Sequence, residues 1–269
     1  MQTMETKSLI KEETFHDEWA QSTDIDSVMV DEFFEACTSP ENRIIIEKIW
    51  DLKWKKILEL GCWLWEASVY FAKKWADVMA TDLSTWMLEL VWKVAKKHDV
   101  QIETCQCLAD NIPFKEGTFD MVYAANLLHH VDIDKTLKES SRVLKKWWLF
   151  ISWDPLAHNP AINIYRKRAM WVRTEDEHPI RFSQIKLFKK HFSKVWFDTT
   201  RFFTLWIFIK FYFFDKVDPN KERYRKKILV EHKRLERTFN FLYKIDRFFL
   251  KIFPFMKRFC RNIVFICKK

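Results

Sequence analysis

Four groups of residues have the types and spacing for chemistry. The first is Glu59-Leu60-Gly61-Cys62-Trp63-Leu64-Trp65, which closes the apolar run of residues 57–60 with a turn that should open a helix. At the end of a first parallel strand, such a turn holds an anionic or nucleotide ligand. Glycine is required there because the backbone must approach the ligand with no side chain between them. The pattern reads as a broken GxGxG, with Trp63 and Trp65 in the places of glycines. The second is Asp82, which ends the next apolar run 21 residues after Gly61. A carboxylate at that strand tip can accept both hydroxyls of a ribose, and the same residue with Ser84 would also suit a helix N-cap. The third is a polar loop with Asp110, Asn111, Pro113 and Gly117, and the fourth is the pair His129-His130. An imidazole has the unperturbed pKa for proton transfer near neutrality, although this pair could equally pack a strand–helix junction. The pattern calls for no metal.

The elements that must position these groups alternate. Residues 57–60, 76–81, 101–107, 119–125 and 149–153 read as strands, and 66–74, 87–98 and 133–144 as helices between them. Strands separated by helices of about ten residues predict an α/β fold, a Rossmann-like, doubly wound and mostly parallel seven-stranded sheet with helices on both faces. Residues 1–50 form a helical lead-in, 51–200 the ligand-binding core, 201–261 a Phe-rich, basic helical insertion, and 262–269 the final strand returning to the sheet. Strand six is expected over residues 194–203. The segment Phe15-His16-Asp17-Glu18-Trp19 could close over the site or pack on the surface.

Composition gives 48% hydrophobic and 31% charged residues, enough for a globular core. The six cysteines form no CxxC pair, so reduced thiols in a cytoplasmic protein are expected. The N-terminal sequence MQTMETKSLIKEETF carries no apolar run, so no secretory leader is expected. Residues 201–269 hold 19 Lys and Arg against 6 Asp and Glu, which exceeds the whole chain's net charge of +9. The stretch FFTLWIFIKFYFF (202–214) is shorter than the ~20 residues that span a bilayer. With the basic amphipathic stretch behind it, it fits contact of residues 202–253 with an anionic membrane surface, peripheral on the inner face, or else a hydrophobic cap on the sheet. The basic residues are interleaved with Phe and Leu, so no nucleic acid is expected.

Taken together, ILELGC, ATDLS, ADNIPF with GTFD, NLLHHV and SRVLKKWWLF resemble the successive motifs of class I S-adenosylmethionine-dependent methyltransferases, of the quinone and small-molecule bacterial branch. The resemblance covers most of residues 50–155, and WDPLAHNP and RTEDEHP extend it. It implies S-adenosyl-L-methionine as methyl donor and a small-molecule or lipid-like acceptor. It also implies roles: Glu59, Gly61 and the turn at Trp63 and Trp65 hold the methionine end, and Asp82 the ribose. Leu83 and Met87 would lie beside the adenine, Asp110 would accept from its amino group, Asn111 would flank it, and Asn126 and Leu127 would line the donor. His129 and His130 are the candidate bases. Two other readings remain: a non-catalytic, membrane-peripheral protein on the same fold, and a nicotinamide-dependent oxidoreductase, which the GxGxG-like rather than GxGxxG spacing disfavours.

One compositional feature cuts across this. The chain has 2 Gly and 14 Trp, where an average chain of this length carries roughly 19 glycines. Trp54, Trp63, Trp65, Trp75, Trp86, Trp147, Trp148 and Trp171 fall where the resembled family usually has glycine, whereas Trp19 and Trp153 do not. The expectation is a gene whose UGA codons encode glycine, translated with a code that reads UGA as tryptophan.

Overall fold

The computed structural model describes residues 11–14, 17–18, 20–21, 24–49, 51–62, 66–168, 177–218 and 224–269. Trp63, Trp65 and Trp171, with Phe15, His16 and Trp19, lie outside the described residues.

Two helices, α1 (Val30–Glu35) and α2 (Pro40–Lys48), lead into the alternation. It runs β1 (Lys56–Leu60), α3 (Glu66–Lys73), β2 (Asp77–Asp82), α4 (Thr85–Lys97), β3 (Glu103–Gln106), β4 (Phe119–Ala125), α5 (Ile133–Val143) and β5 (Leu144–Pro155). After β5 come α6 (Pro160–Arg168), α7 (Ile185–His191) and β6 (Lys194–Thr200). The helices α8 (Trp206–Phe213), α9 (Tyr224–Val230) and α10 (His232–Ile252) then precede β7 (Asn262–Lys268). The seven strands lie in the order β3-β2-β1-β4-β5-β7-β6. β7 is antiparallel to both neighbours, and the other pairings are parallel. This is the doubly wound sheet expected from the alternation. Chain order reverses between β1 and β4, and the crevice at the carboxyl ends of these strands is where such folds bind ligands.

Each central strand is apolar on both faces because helices cover both. Ile57 of β1 packs into one core with Phe34, Phe71 and Val91, while Leu58 and Leu60 pack into the other with Leu137, Phe150 and Phe188. The helices begin where side-chain caps satisfy backbone donors: Ser84 accepts from Met87 N at 3.1 Å, and Asp132 from Lys135 N at 3.1 Å. Ser84, rather than Asp82, is therefore the cap of α4, and Asp82 keeps its place at the strand tip.

β6 ends at Thr200, short of the expected residue 203. Arg201 turns the chain with φ 66°, and its guanidinium is buried against Glu41 of α2. The Phe-rich stretch divides. Phe208 and Phe211 pack with Ile228, Leu235 and Phe239 from α9 and α10, while Trp206, Phe213 and Phe214 are exposed. No helix among the described residues is long and apolar enough to cross a membrane.

The tryptophans now have backbone conformations. Trp54, Trp75 and Trp147 have φ of 64°, 66° and 72°, the left-handed region that glycine enters without cost. Trp75 follows α3 with Trp75 N bonded to Ala72 O and Ala76 N to Phe71 O. That is the helix-ending motif whose left-handed position is usually glycine. All three indoles are about 70% exposed, so they contribute little packing to offset the strain. Trp86 and Trp148, by contrast, have no left-handed backbone. Trp54→Gly, Trp75→Gly and Trp147→Gly should each leave stability unchanged or raise it by about 1 kcal/mol. Relief of ~1–2 kcal/mol of left-handed strain outweighs the ~0.5–1 kcal/mol of added unfolded-state freedom. Denaturant midpoints of the three single variants check this, and a loss in all three would contradict it. The same substitution at Trp153, whose buried indole donates to Tyr123 Oη at 3.3 Å, should be strongly destabilising.

Candidate active site

The carboxyl ends of β1, β2 and β4 bring most of the sequence-predicted residues together. Gly61 leaves β1 with φ 65°, and a Cβ there would come within 2.9 Å of Leu127 Cδ1. The β1 turn thus lies directly against the segment after β4, and a side chain at 61 would be both strained and crowded. Cys62 N donates to Thr81 O at 2.9 Å and Cys62 Sγ contacts Asp82 Oδ2 at 3.8 Å, which sets the turn beside the tip of β2. Asp82 is 7% exposed and accepts from Ser84 N at 3.0 Å. Leu83 is half-buried with its carbonyl accepting from Gln106 Nε2 at 2.8 Å, and Met87 is fully buried behind it.

Glu59 points inward instead of into the crevice. Its carboxyl accepts from Ser68 Oγ of α3, while its carbonyl accepts from Thr81 Oγ1 at 2.8 Å. Burial raises the Glu59 carboxyl to about 8, with the nearby Asp82 charge adding to the rise and the Ser68 bonds opposing it. A pKa raised on folding means that the folded chain binds the extra proton, so stability falls as pH rises between the ordinary glutamate range and about 8. The slope reaches at most about 1.4 kcal/mol per pH unit. Glu59→Gln should flatten this decline without loss at acid pH, as read from urea midpoints across the pH range. An unchanged profile would show that Glu59 is not the group responsible.

Asp110 and Asn111 sit in a tight turn in which Asn111 N donates to Leu108 O at 3.1 Å. The turn is held by a residue that sequence reasoning did not single out. Arg142 of α5 donates to Phe114 O at 2.7 Å and Ile112 O at 2.8 Å and pairs with Glu139, which in turn accepts from Ile112 N at 3.2 Å. Asn126 ends β4 in a left-handed conformation, φ 56°, with its N–H on Trp153 O at 2.7 Å. Asparagine tolerates that conformation better than most residues, and such outliers concentrate at functional sites.

The two histidines lie at the same edge, one strand over. His129 is 3% exposed, and its Nδ1 lies 2.9 Å from Oδ1 of Asp154, at the carboxyl end of β5. His130 Nδ1 lies 3.2 Å from Oε1 of Glu12, in the helical residues 11–14. The rings stack obliquely with centroids 4.1 Å apart. His178 N donates to His129 O at 2.7 Å, which pins residues 177–180 beside them. Burial pushes the Asp154 carboxyl well above the usual carboxylate range, against the pull of the His129 and Leu128 backbone N–H groups. Asp154, Glu12 and Glu177 were not predicted from sequence. Asp154 carried the signal used for Asp82, an acid at the end of an apolar run; Glu12 and Glu177 carried none. Asp17 of the segment 15–19 bonds Ser84 Oγ, so this described part of the N-terminal segment lies against the start of α4 at the Asp82 end. Arg166 donates to Leu156 O and Asn163 Oδ1.

A glycine turn after β1, an acid at the tip of β2 and an acid–amide turn after β3 thus meet at the edge where doubly wound sheets bind ligands. Comparison with known proteins agrees. Residues 58–150 match the family model described as a methyltransferase domain. An uncharacterised methyltransferase of Synechocystis is 33% identical over 119 residues, 38% of this chain and 53% of that protein. A sarcosine/dimethylglycine N-methyltransferase of Halorhodospira halochloris is 31% identical over 104 residues, 37% of each. The chain spans about half the length of the curated relatives it matches. Among solved structures, a Haemonchus contortus phosphoethanolamine N-methyltransferase in complex with S-adenosyl-L-methionine shares the fold, with TM-score 0.57 and 18% identity over 95% of this chain and 60% of that one. The similarity to methyltransferases thus rests on the central domain, residues 58–150.

Proposed function

We propose that the chain transfers a methyl group from S-adenosyl-L-methionine to a small-molecule acceptor in the crevice between β1, β4 and β5. The observation that carries this reading is the contact of the Gly61 turn with Leu127 beside the buried Asp82 carboxylate. The turn leaves a cradle that a Cβ would fill, and the donor set suits a nucleoside. Asp82 would take the ribose hydroxyls, with Leu83 and Met87 behind the adenine. Asp110 and Asn111, on the turn that Arg142 clamps, would meet the adenine edge. Glu59 sets the β1–α3 junction under the methionine end, and Asn126 and Leu127 line the donor.

When bound, S-adenosylmethionine supplies a methyl group on a sulfonium, a leaving group already activated for in-line displacement. The protein's work is then alignment and, for a hydroxyl or protonated amine, removal of a proton. His129, oriented by Asp154, and His130, held by Glu12, are the groups that meet the acceptor. The names of the Halorhodospira and Haemonchus proteins point to amines as acceptors to try first.

A lipid-like acceptor is favoured by a separate observation. On α10, Phe241, Phe248 and Ile252 are exposed on one face among Arg237, Lys244 and Lys251, with Phe255 exposed just beyond. Aromatic anchors among cations suit an anionic membrane surface, which would place the protein on the cytoplasmic face. Incubation of the Trp63→Gly, Trp65→Gly chain with radiolabelled donor and panels of amines, phenols and lipid extracts tests the reading. Label entering one acceptor class, and lost in Asp82→Ala, is expected. Donor binding without transfer to any class would favour a non-catalytic protein on this fold.

A further inference from the structure

We propose that His129, His130 and Glu177 form a binding site for one divalent transition-metal ion at the acceptor end of the crevice. One ligand atom from each of the three lies within 4.8 Å of the others. A small contraction would bring them to the separations that a common ion of this class imposes, with ligand bonds of about 2.0–2.2 Å.

The surroundings are those of a ligand set rather than of chance neighbours. Metal-binding imidazoles characteristically give their other nitrogen to a carboxylate, which fixes the ring and its tautomer. Here both rings do so. Asp154 Oδ1 holds His129 Nδ1 at 2.9 Å, and Glu12 Oε1 holds His130 Nδ1 at 3.2 Å. Coordination by these rings would then use Nε2. Glu177 is delivered by a segment tied to the site through the bond from His178 N to His129 O. Glu12 and Asp154 stand behind the two imidazoles, and Glu177 beside them supplies the third ligand. Two nitrogen ligands and one carboxylate favour zinc, iron, cobalt or nickel over magnesium or calcium.

Three protein ligands leave coordination positions open, which on the methyl-transfer reading an acceptor would occupy. This assignment of role rests on the methyl-transfer reading; the site itself does not. A coordinated hydroxyl loses its proton at lower pH, so an ion held by these residues would help to prepare an oxygen acceptor.

Protein stripped with a chelator and titrated with Co²⁺, followed by visible absorption and calorimetry, tests the site. One equivalent should bind with the spectrum of an ion held by nitrogen and oxygen, and Zn²⁺ should displace it. Glu177→Gln should weaken binding at least tenfold, and Asp154→Asn by roughly 10–100-fold, with thermal melts confirming that both variants fold. His191→Ala, which removes the imidazole paired with Asp134 outside the site, should bind as the parent does. Absence of binding, or equal affinity in the parent and Glu177→Gln, overturns the proposal. S-adenosylmethionine binding is measured on the same protein carrying Trp63→Gly and Trp65→Gly. Donor binding without the metal overturns the metal site alone, and metal binding without donor upholds the site while counting against methyl transfer.

Discussion

Arg201→Ala lowers the unfolding free energy by about 3–5 kcal/mol, one of the two largest effects expected in this molecule. Arg201 donates from Nε to Glu41 Oε1 at 2.8 Å and from Nη2 to Glu41 Oε2 at 3.0 Å and Thr38 O at 2.8 Å. Thr200 Oγ1 and Asn262 Nδ2 also donate to Glu41, at 2.5 and 2.8 Å. Both charged side chains are about 5% exposed, so removing the guanidinium leaves a buried carboxylate uncompensated. The cluster ties α2 to the ends of β6 and β7, and the loss should therefore be global. Burial alone would raise the Glu41 carboxyl, but Arg201 and its hydrogen bonds bring it down to about 2. A depressed carboxyl stabilises the fold fully above its unfolded pKa and loses that contribution as pH falls toward 2. The gap between parent and variant should therefore be wide at pH 7 and narrow below about pH 4. Urea unfolding at both pH values measures it, and equal gaps would contradict the assignment.

Restoring glycine at positions 63 and 65 should raise affinity for S-adenosylmethionine by a hundredfold or more, the equivalent of about 2.7 kcal/mol. Both residues lie outside the described residues, so the argument runs from their neighbours. Gly61 leaves β1 left-handed, with Leu127 close enough to meet a Cβ. A nucleotide-binding turn needs backbone that approaches its ligand, and an indole there would occupy the volume that the methionine end of the donor needs. Trp54, Trp75 and Trp147 likewise stand at backbone positions that glycine favours. Codons are the independent check: UGA is expected at positions 54, 63, 65, 75, 86, 147, 148 and 171, and UGG at 63, 65, 147 and 148 would remove the recoding idea.

How legible this was in the sequence depended on range. β1, β2 and β4 were readable because their apolar runs are buried on both faces, and Gly61 and Asp82 because strand tips fix them. Tertiary partners were not. Asp154 meets His129 only because β5 pairs with β4, and Glu12 and Glu177 reach the histidines through segments with no periodic signal of their own. Asp82 divided its two sequence readings with Ser84, which took the helix cap. Strand six was read three residues too long because Phe202 and Phe203 continue its apolar character. Arg201's left-handed turn and the bonds from the Phe202, Phe203 and Thr204 N–H groups to the buried Asp246 carboxylate end it instead. The Phe-rich stretch looked uniform in sequence, yet α8 buries Phe208 and Phe211 while Phe213 and Phe214, at its end, remain exposed.

The central claim is that the crevice formed by the Gly61 turn, Asp82 and Leu127 binds S-adenosylmethionine. Calorimetric titration of the Trp63→Gly, Trp65→Gly chain, alone and with Asp82→Ala, tests it most directly. Micromolar binding by the first, weakened tenfold or more by the second, is the expected result. No binding by the glycine-restored chain, or equal binding with and without the Asp82 carboxylate, would contradict the account.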